Sequence, residues 1–201
     1  NIKYLQSFGV TEFVINVHHF GEQIVEFLEK NNHFGAKIDI SNEKDELLET
    51  GGGLLFAQKY LEKEENFLIM NADILTDLNI HELVKFHETH LPLATLAVSD
   101  RNSSRKLFFN SEMVLKGWMN KNSGETKMAE FNSDFKELAF SGIHCINSSI
   151  FDKIKRRGKF SIMEEYLDLM FENNILGFQH EARLIDVGRP ESVIEAEKYF
   201  T

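Results

Sequence analysis

The sequence predicts an α/β fold of the doubly wound, mostly parallel, Rossmann-like kind, with a small antiparallel extension. Three observations predict it. Short β-branched apolar runs alternate with longer amphipathic ones, as strands joined by crossover helices require. The run Asn66 to Met70, with Phe67-Leu68-Ile69-Met70 unbroken, has the continuous apolarity of a central parallel strand buried on both faces. From Arg101 to Lys136 the pattern changes to polar stretches between short runs such as Met113-Val114-Leu115, which suits hairpins better than further crossovers.

Taken in order, Ile2, Leu5 and Phe8 are spaced for one face of an opening helix, and Gly9 is its natural stop. A doubly wound domain ordinarily begins instead with a strand and its phosphate-binding turn. Glu12 to Val17 reads as a strand, and Gly21 to Lys30 as a helix with Ile24, Val25, Phe27 and Leu28 on one face. Ala36 to Ile40 reads as the next strand. A helix over Leu54 to Leu61 is expected after the triple glycine. Ile80 to His90 predicts a helix, and Leu93 to Val98 and Leu138 to Ile146 predict strands. Helices are expected over Ile150 to Lys155 and Ile162 to Glu172, then a last strand over Leu184 to Val187. Pro190 opens the closing helix at the position where its missing N–H costs nothing. No repeat, low-complexity tract or linker interrupts the chain, so residues 1–201 are expected to form one domain.

At 201 residues the chain can bury a substantial core, and no apolar run approaches the ~20 residues needed to span a bilayer. Its first residues lack the basic-then-apolar pattern of a secretory signal. The single cysteine, Cys145, excludes an internal disulfide framework, which points to a reducing, cytoplasmic compartment; Cys145 itself reads as a small buried hydrophobe on a strand. Net charge is −10, which argues against a broad nucleic-acid face. It leaves room for a small phosphorylated substrate whose charge is met by a cation and a few local donors.

Two strand ends deliver aspartates. Asn71-Ala72-Asp73 follows the buried run ending at Met70, and Asp186 closes Leu184-Ile185-Asp186 before Val187-Gly188. Open α/β sheets collect ligands outside the carboxyl ends of their strands. Each aspartate has a plainer reading: Asp73 or Asp77 as the cap of the next helix, Asp186 as a turn carboxylate bonding nearby amides. Together they make a sensible pair for one hard cation, since Mg²⁺ takes one or two carboxylates and leaves its other positions to water and phosphates. Glu49-Thr50-Gly51-Gly52-Gly53 opens a helix, with glycines that let the backbone approach a ligand and Thr50 as its cap; a flexible turn is the competing reading. It matches neither the GxGxxG fingerprint nor the GxxxxGK[ST] loop. Gly142, beside Ser141 within a strand, marks either close approach of a ligand or simple weakening of the strand. His18 and His19 are expected on opposite faces of a strand end, poor geometry for a shared metal.

As a set these residues resemble the sugar-1-phosphate nucleotidyltransferase family, most of all N-acetylmuramate-1-phosphate uridylyltransferases and mannose-1-phosphate guanylyltransferase-like proteins. Val14 to His19, Leu48 to Gly53, Asn71-Ala72-Asp73, Phe140-Ser141-Gly142-Ile143 and Ile185-Asp186-Val187-Gly188 occur in the family's order and approximate spacing, across nearly the whole chain. The resemblance implies that Asp73 and Asp186 are catalytic and hold Mg²⁺. It implies that Glu49, Thr50, Gly51, Gly52, Gly53 and Asn71 bind the nucleotide, and that Ser141, Gly142 and Ser161 bind the sugar. The implied reaction is attack of a sugar 1-phosphate on the α-phosphorus of a nucleoside triphosphate, releasing pyrophosphate. The implied partners are those two substrates, with neither nucleic acid nor membrane, and a homo-oligomer is compatible. The family's N-terminal glycine-rich loop with its basic residues has no match here, so residues 1–201 are expected to be an N-terminally truncated catalytic domain that alone shows little or no turnover. Two other readings compete. One is a non-catalytic nucleotide or sugar-phosphate sensor, or a regulatory subunit, on the same fold. The other is a glycosyltransferase, disfavoured because Asn71-Ala72-Asp73 supplies one aspartate where Asp-x-Asp needs two.

Overall fold

The computed structural model describes residues 1–130 and 132–200. They divide into two compact units, each assembled from segments distant in sequence. One holds Ile2–Glu65 and Ser148–Asp168; the other holds Asn1, Asn66–Asn147 and the chain from Leu169 onward. Neither unit is a continuous stretch, so no linker composition could have marked a boundary. No helix among the described residues is long and apolar enough to cross a membrane.

In the first unit, helix α1 (Ile2–Gln6) precedes strand β1 (Glu12–Val17), which pairs in parallel with β2 (Lys37–Asn42). Parallel neighbours cannot be joined by a tight turn, and α2 (Gly21–Lys30) supplies the crossover. Of the four apolar residues expected on one face of α2, only Leu28 is buried, while Ile24 and Phe27 are exposed. Helices α3 (Glu49–Phe56) and α4 (Gln58–Leu61) follow. The expected helix over Leu54 to Leu61 therefore begins at Glu49, with the triple glycine inside it and a break at Ala57. The chain returns to this unit through α6 (Ile150–Lys153) and α7 (Ile162–Leu169). Tyr166 and Glu165 are buried there, and Glu165 is ion-paired with Arg156 at 3.1 Å.

The second unit is built on β3 (Asn66–Met70), β5 (Ala94–Ser99), β9 (Lys136–Asn147) and β10 (Ile175–Gln179). The carboxyl half of β9 pairs antiparallel with both β3 and β5, and β10 pairs parallel with β5. β3, β5 and β10 thus run one way and β9 alone runs against them. This is the Rossmann-like sheet expected, with one reversed strand in its centre. The amino half of β9 pairs with β6 (Arg105–Phe109), and β6-β7-β8 continue antiparallel through β7 (Leu115–Asn120) and β8 (Thr126–Met128), which is the predicted extension. A separate short ribbon joins β4 (Ile74–Thr76) to β11 (Leu184–Asp186). Helix α5 (Ile80–His90) leads into β5, and α8 (Pro190–Glu197) starts at Pro190 as expected.

β5 is buried along its whole length. The polar demand of its fully buried Thr95 is met: the hydroxyl lies 2.9 Å from His87 Nδ1, and His87 Nε2 lies 3.1 Å from Asn66 Oδ1. Burial holds the His87 imidazole down at about 4, so it is neutral near pH 7. Cys145 is buried on β9 and its thiol is pushed up to about 12, mainly by desolvation. It is inert packing, as read from sequence.

Candidate active site

The β4–β11 ribbon brings the two strand-end aspartates together. Asp186 stands opposite Ile74, and the N–H of Val187 donates to the carbonyl of Asp73 at 2.8 Å. Gly188 comes next, and its N–H donates to Asp186 Oδ1 at 2.9 Å. A Cβ at Gly188 would lie 3.0 Å from Asp186 Oδ1 and 3.4 Å from Asp73 Oδ2. The two oxygens are therefore no farther apart than those two distances laid end to end, and both border the space left by the absent side chain. Both residues are exposed. Among the described residues no group of three or more His, Cys, Asp or Glu is placed to hold a metal ion. Two carboxylates facing solvent are the donor set suited to Mg²⁺, which keeps waters and substrate phosphates in its other positions. The residues present fit such an ion. The plainer reading of Asp73 or Asp77 as a helix cap does not describe the structure. Asn79 caps α5, accepting from the N–H of Glu82, and Asp77 Oδ1 accepts from the N–H of Arg183 at 2.7 Å.

Asn71 and Gly142 are neighbours in the same unit. The N–H of Asn71 donates to the Gly142 carbonyl at 2.9 Å. Gly142 has φ +74°, and a Cβ there would sit 3.0 Å from Asn71 Nδ2. Only glycine meets both conditions without strain, so its close approach is to Asn71. It lies where the β5–β9 register shifts, between the pairs Leu96↔His144 and Val98↔Phe140. Ser141 is buried, and its hydroxyl shares a 2.9 Å hydrogen bond with His180 Nε2. Ser141 thus anchors His180 and presents no free hydroxyl outward. Sequence reasoning passed over His180, which borders an open cleft of about 520 Å³ with Asn79, Glu82 and Phe178. It also passed over Arg101, whose Nη2 donates to the Phe140 carbonyl at 2.8 Å. Burial lowers the Arg101 pKa, and the Asp186 carboxylate opposes that shift.

Glu49 to Gly53 and Ser161 belong to the other unit, where the chain from Gly158 to Ile162 packs on the start of α3. The N–H groups of Gly51 and Gly52 both donate to the Phe160 carbonyl, at 2.9 and 3.2 Å. These amides, the free donors of a helix start, are already satisfied inside the protein. A Cβ would strike the Phe160 ring from Gly51, the Gly158 carbonyl from Gly52, and Asn16 and Glu43 from Gly53. The triplet is needed for close packing, and it is buried, while Glu49 and Thr50 remain exposed. Thr50 does not cap its own helix. Its hydroxyl accepts from the N–H of Ile162 at 3.0 Å, at the start of α7. Ser161 caps α7 in a reciprocal box: its hydroxyl accepts from Met163 N–H, and Glu164 returns a carboxylate to Ser161 N–H, each at 3.3 Å. Glu43, buried under the triplet, accepts from Asn16 Nδ2 at 2.6 Å and from Leu48 N–H at 2.9 Å. His18 and His19 do not diverge as expected; the strand ends at Val17 and their rings stand edge to face 4.5 Å apart.

Known proteins of similar sequence and fold bear on this arrangement. The chain is 27% identical over 201 residues to a mannose-1-phosphate guanyltransferase of Gibberella zeae, and 26% identical over 200 residues to one of Schizosaccharomyces pombe. Each match covers 96% of this chain and 52% of the relative, so the chain spans about half the length of the curated relatives it matches. Among solved structures, it is similar to HddC from Yersinia pseudotuberculosis complexed with GMP-PN, with a TM-score of 0.79 at 20% identity, covering 100% of this chain and 83% of that one. A putative glucose-1-phosphate thymidylyltransferase from Bacillus anthracis matches with a TM-score of 0.78 at 16% identity, covering 98% and 79%. At such identities the structural likeness establishes the fold. A family model described as Nucleotidyl transferase matches residues 1–201, and the chain belongs to that family.

Proposed function

We propose that the natural full-length protein transfers a nucleoside monophosphate from a nucleoside triphosphate to a sugar 1-phosphate, with Asp73 and Asp186 holding a catalytic Mg²⁺. The observation that carries this reading is the convergence of the two carboxylates on the open space at Gly188. In the reaction an ionised phosphate oxygen of the sugar 1-phosphate bonds to the α-phosphorus. The bond from that phosphorus to its α,β-bridging oxygen breaks, and pyrophosphate leaves with the electron pair. Such chemistry asks for alignment and charge neutralisation, with no protein nucleophile, which agrees with the inert burial of Cys145. When bound, the ion supplies Lewis-acid stabilisation and a template for the phosphates. The N–H of Gly188 holds Asp186 in orientation, and Gly142 sets the place of Asn71. Contact with the nucleobase is assigned to the exposed Glu49 and Thr50, with Gly51 to Gly53 as their packing support. The sugar is assigned to the Ser141–Gly142 region through the groups these residues position.

The relatives' names make GTP and mannose 1-phosphate the first pair to assay. Pyrophosphate release should require Mg²⁺, and Asp73→Asn or Asp186→Asn should each lower turnover by roughly 10²- to 10⁴-fold, the range expected when several kcal/mol of charge stabilisation are withdrawn. Normal turnover in both variants would refute the assignment. Nucleotide binding without turnover in the wild-type protein would favour a sensor on the same fold.

A further inference from the structure

We infer that Arg101, just beyond the carboxyl end of β5, is a ligand for a substrate phosphate, with the His180 imidazole beside it completing the subsite. The inference deepens the proposed function and rests on it only for which phosphate is bound.

Several independent observations meet at this residue. Arg101 uses one of its five N–H donors on the Phe140 carbonyl, and it takes part in none of the ion pairs found among the described residues. Yet Asp186 is near enough to act on its charge. The guanidinium therefore keeps a charge that no ion pair among the described residues neutralises, with Asp186 the one carboxylate that acts on it. A phosphate held by a cation on the Asp73–Asp186 side would meet the guanidinium's remaining donors, whose planar fork matches two phosphate oxygens.

The backbone of Arg101 is held in place. Lys106 is buried at 7% exposure, and its Nζ donates to the Arg101 carbonyl at 2.9 Å while lying 3.8 Å from Asp100 Oδ1. Burying an ammonium is costly unless it is well partnered, and here both partners lie at the turn that carries Arg101. A freely solvated arginine would need no such brace. Arg101 is exposed over the residue as a whole, while its head is crowded enough that burial lowers its pKa. Its guanidinium remains charged throughout the physiological range.

His180 contributes the third observation. Its Nε2 is committed to Ser141, but its Nδ1 is buried and has no partner. Buried polar atoms of native proteins are almost always satisfied, so this nitrogen marks a place for a ligand oxygen or a water. Burial chiefly lowers the pKa of His180; Arg101 lowers it further, and Asp77 opposes both. The imidazole is thus a neutral hydrogen-bonding group, and Arg101 is the cation of the subsite.

The test uses the natural full-length protein with Mg²⁺ and two probes, inorganic pyrophosphate and α-D-mannose 1-phosphate, titrated calorimetrically into wild type, Arg101→Ala and Arg101→Lys. The alanine variant should bind one probe about 10- to 100-fold more weakly, as loss of a charge-assisted contact implies. The lysine variant, which keeps the charge without the fork, should fall between. A response to pyrophosphate assigns Arg101 to the triphosphate, and a response to mannose 1-phosphate assigns it to the acceptor. Equal affinity of all three proteins for both probes, or no affinity of the wild type for either, overturns the inference. So does a lowered unfolding temperature with unchanged affinity, which is what a strut for the Phe140 carbonyl alone would give. If binding depends on Arg101 but no nucleoside triphosphate yields pyrophosphate, the transferase reading falls while the phosphate ligand stands.

Discussion

Replacing Gly188 with alanine tests the carboxylate pair without altering either carboxylate. Gly188 does not adopt a positive φ, so alanine meets no backbone penalty there. Its methyl would lie 3.0 Å from Asp186 Oδ1 and 3.4 Å from Asp73 Oδ2. Mg²⁺ demands oxygens at about 2.0–2.1 Å in near-octahedral order. A methyl in contact with both oxygens occupies the space the ion and its waters would share, or pushes the carboxylates apart. Either displacement is comparable to losing the support of a metal ligand, for which affinity falls about 10- to 100-fold. The fold should be nearly indifferent. Reduced freedom of the unfolded chain favours alanine by about 0.4–1 kcal/mol, and the tight 3.0 Å contact offsets part of that gain. Calorimetric titration of Mg²⁺, with Mn²⁺ paramagnetic resonance as a second readout, measures the affinity, and urea unfolding measures the stability. Wild-type affinity for Mg²⁺ in Gly188→Ala would refute the reasoning, because an ion between these carboxylates cannot ignore a methyl there.

Two further outcomes probe the two units separately. In Gly52→Ala the new Cβ would fall 2.2 Å from the backbone carbonyl oxygen of Gly158; an overpacked contact with backbone costs about 1–3 kcal/mol, read as a lowered urea midpoint, and an unchanged midpoint would mean that the packing of 158–162 on α3 is dispensable. For His87, burial holds the folded value at about 4 against 6.5 in the unfolded chain, so unfolding takes up a proton between those pH values. The stability this group contributes is complete above about pH 6.5 and is lost as pH falls toward 4, up to about 3 kcal/mol in all. His87→Gln should flatten the fall of the urea midpoint across that window, and an identical slope in the variant would exclude His87 as its source.

Periodicity made the fold class and most elements legible, because burial on one or two faces leaves a regular apolar pattern. α2, α5 and the start of α8 fall where the sequence placed them. The elements it missed lack that pattern. β4 is three residues long, and β10 carries Gly177 at its centre, where a Cβ would meet Phe109 and Met113 at 2.8 and 2.9 Å. A glycine that looks like a strand breaker is there because the side chains of Phe109 and Met113 fill the space. The interleaving of the two units was invisible for another reason: contacts between Leu48 and Phe160, or between Thr50 and Ile162, join positions more than a hundred residues apart.

In the candidate site the two carboxylates were legible in the sequence and the groups around them were not, and the difference lies in what each group can satisfy locally. Glycines and caps announce themselves in sequence whether they serve a ligand or the protein. At Gly51 and Gly52 the free amides of a helix start meet the Phe160 carbonyl, and at Ser161 the cap closes on Glu164, so these signals are consumed by packing. At Gly188 the same absence of a side chain leaves open a space bordered by two acidic oxygens that nothing else occupies. Arg101 gave no motif at all, since its significance comes from Lys106, which holds its carbonyl, and from the charge of Asp186, which is distant in sequence. A sequence can therefore mark where backbone is free to approach something. Only the pattern of donors and acceptors left unsatisfied after folding, as at His180 Nδ1 and the Arg101 guanidinium, separates a place open to a ligand from one filled by the protein itself.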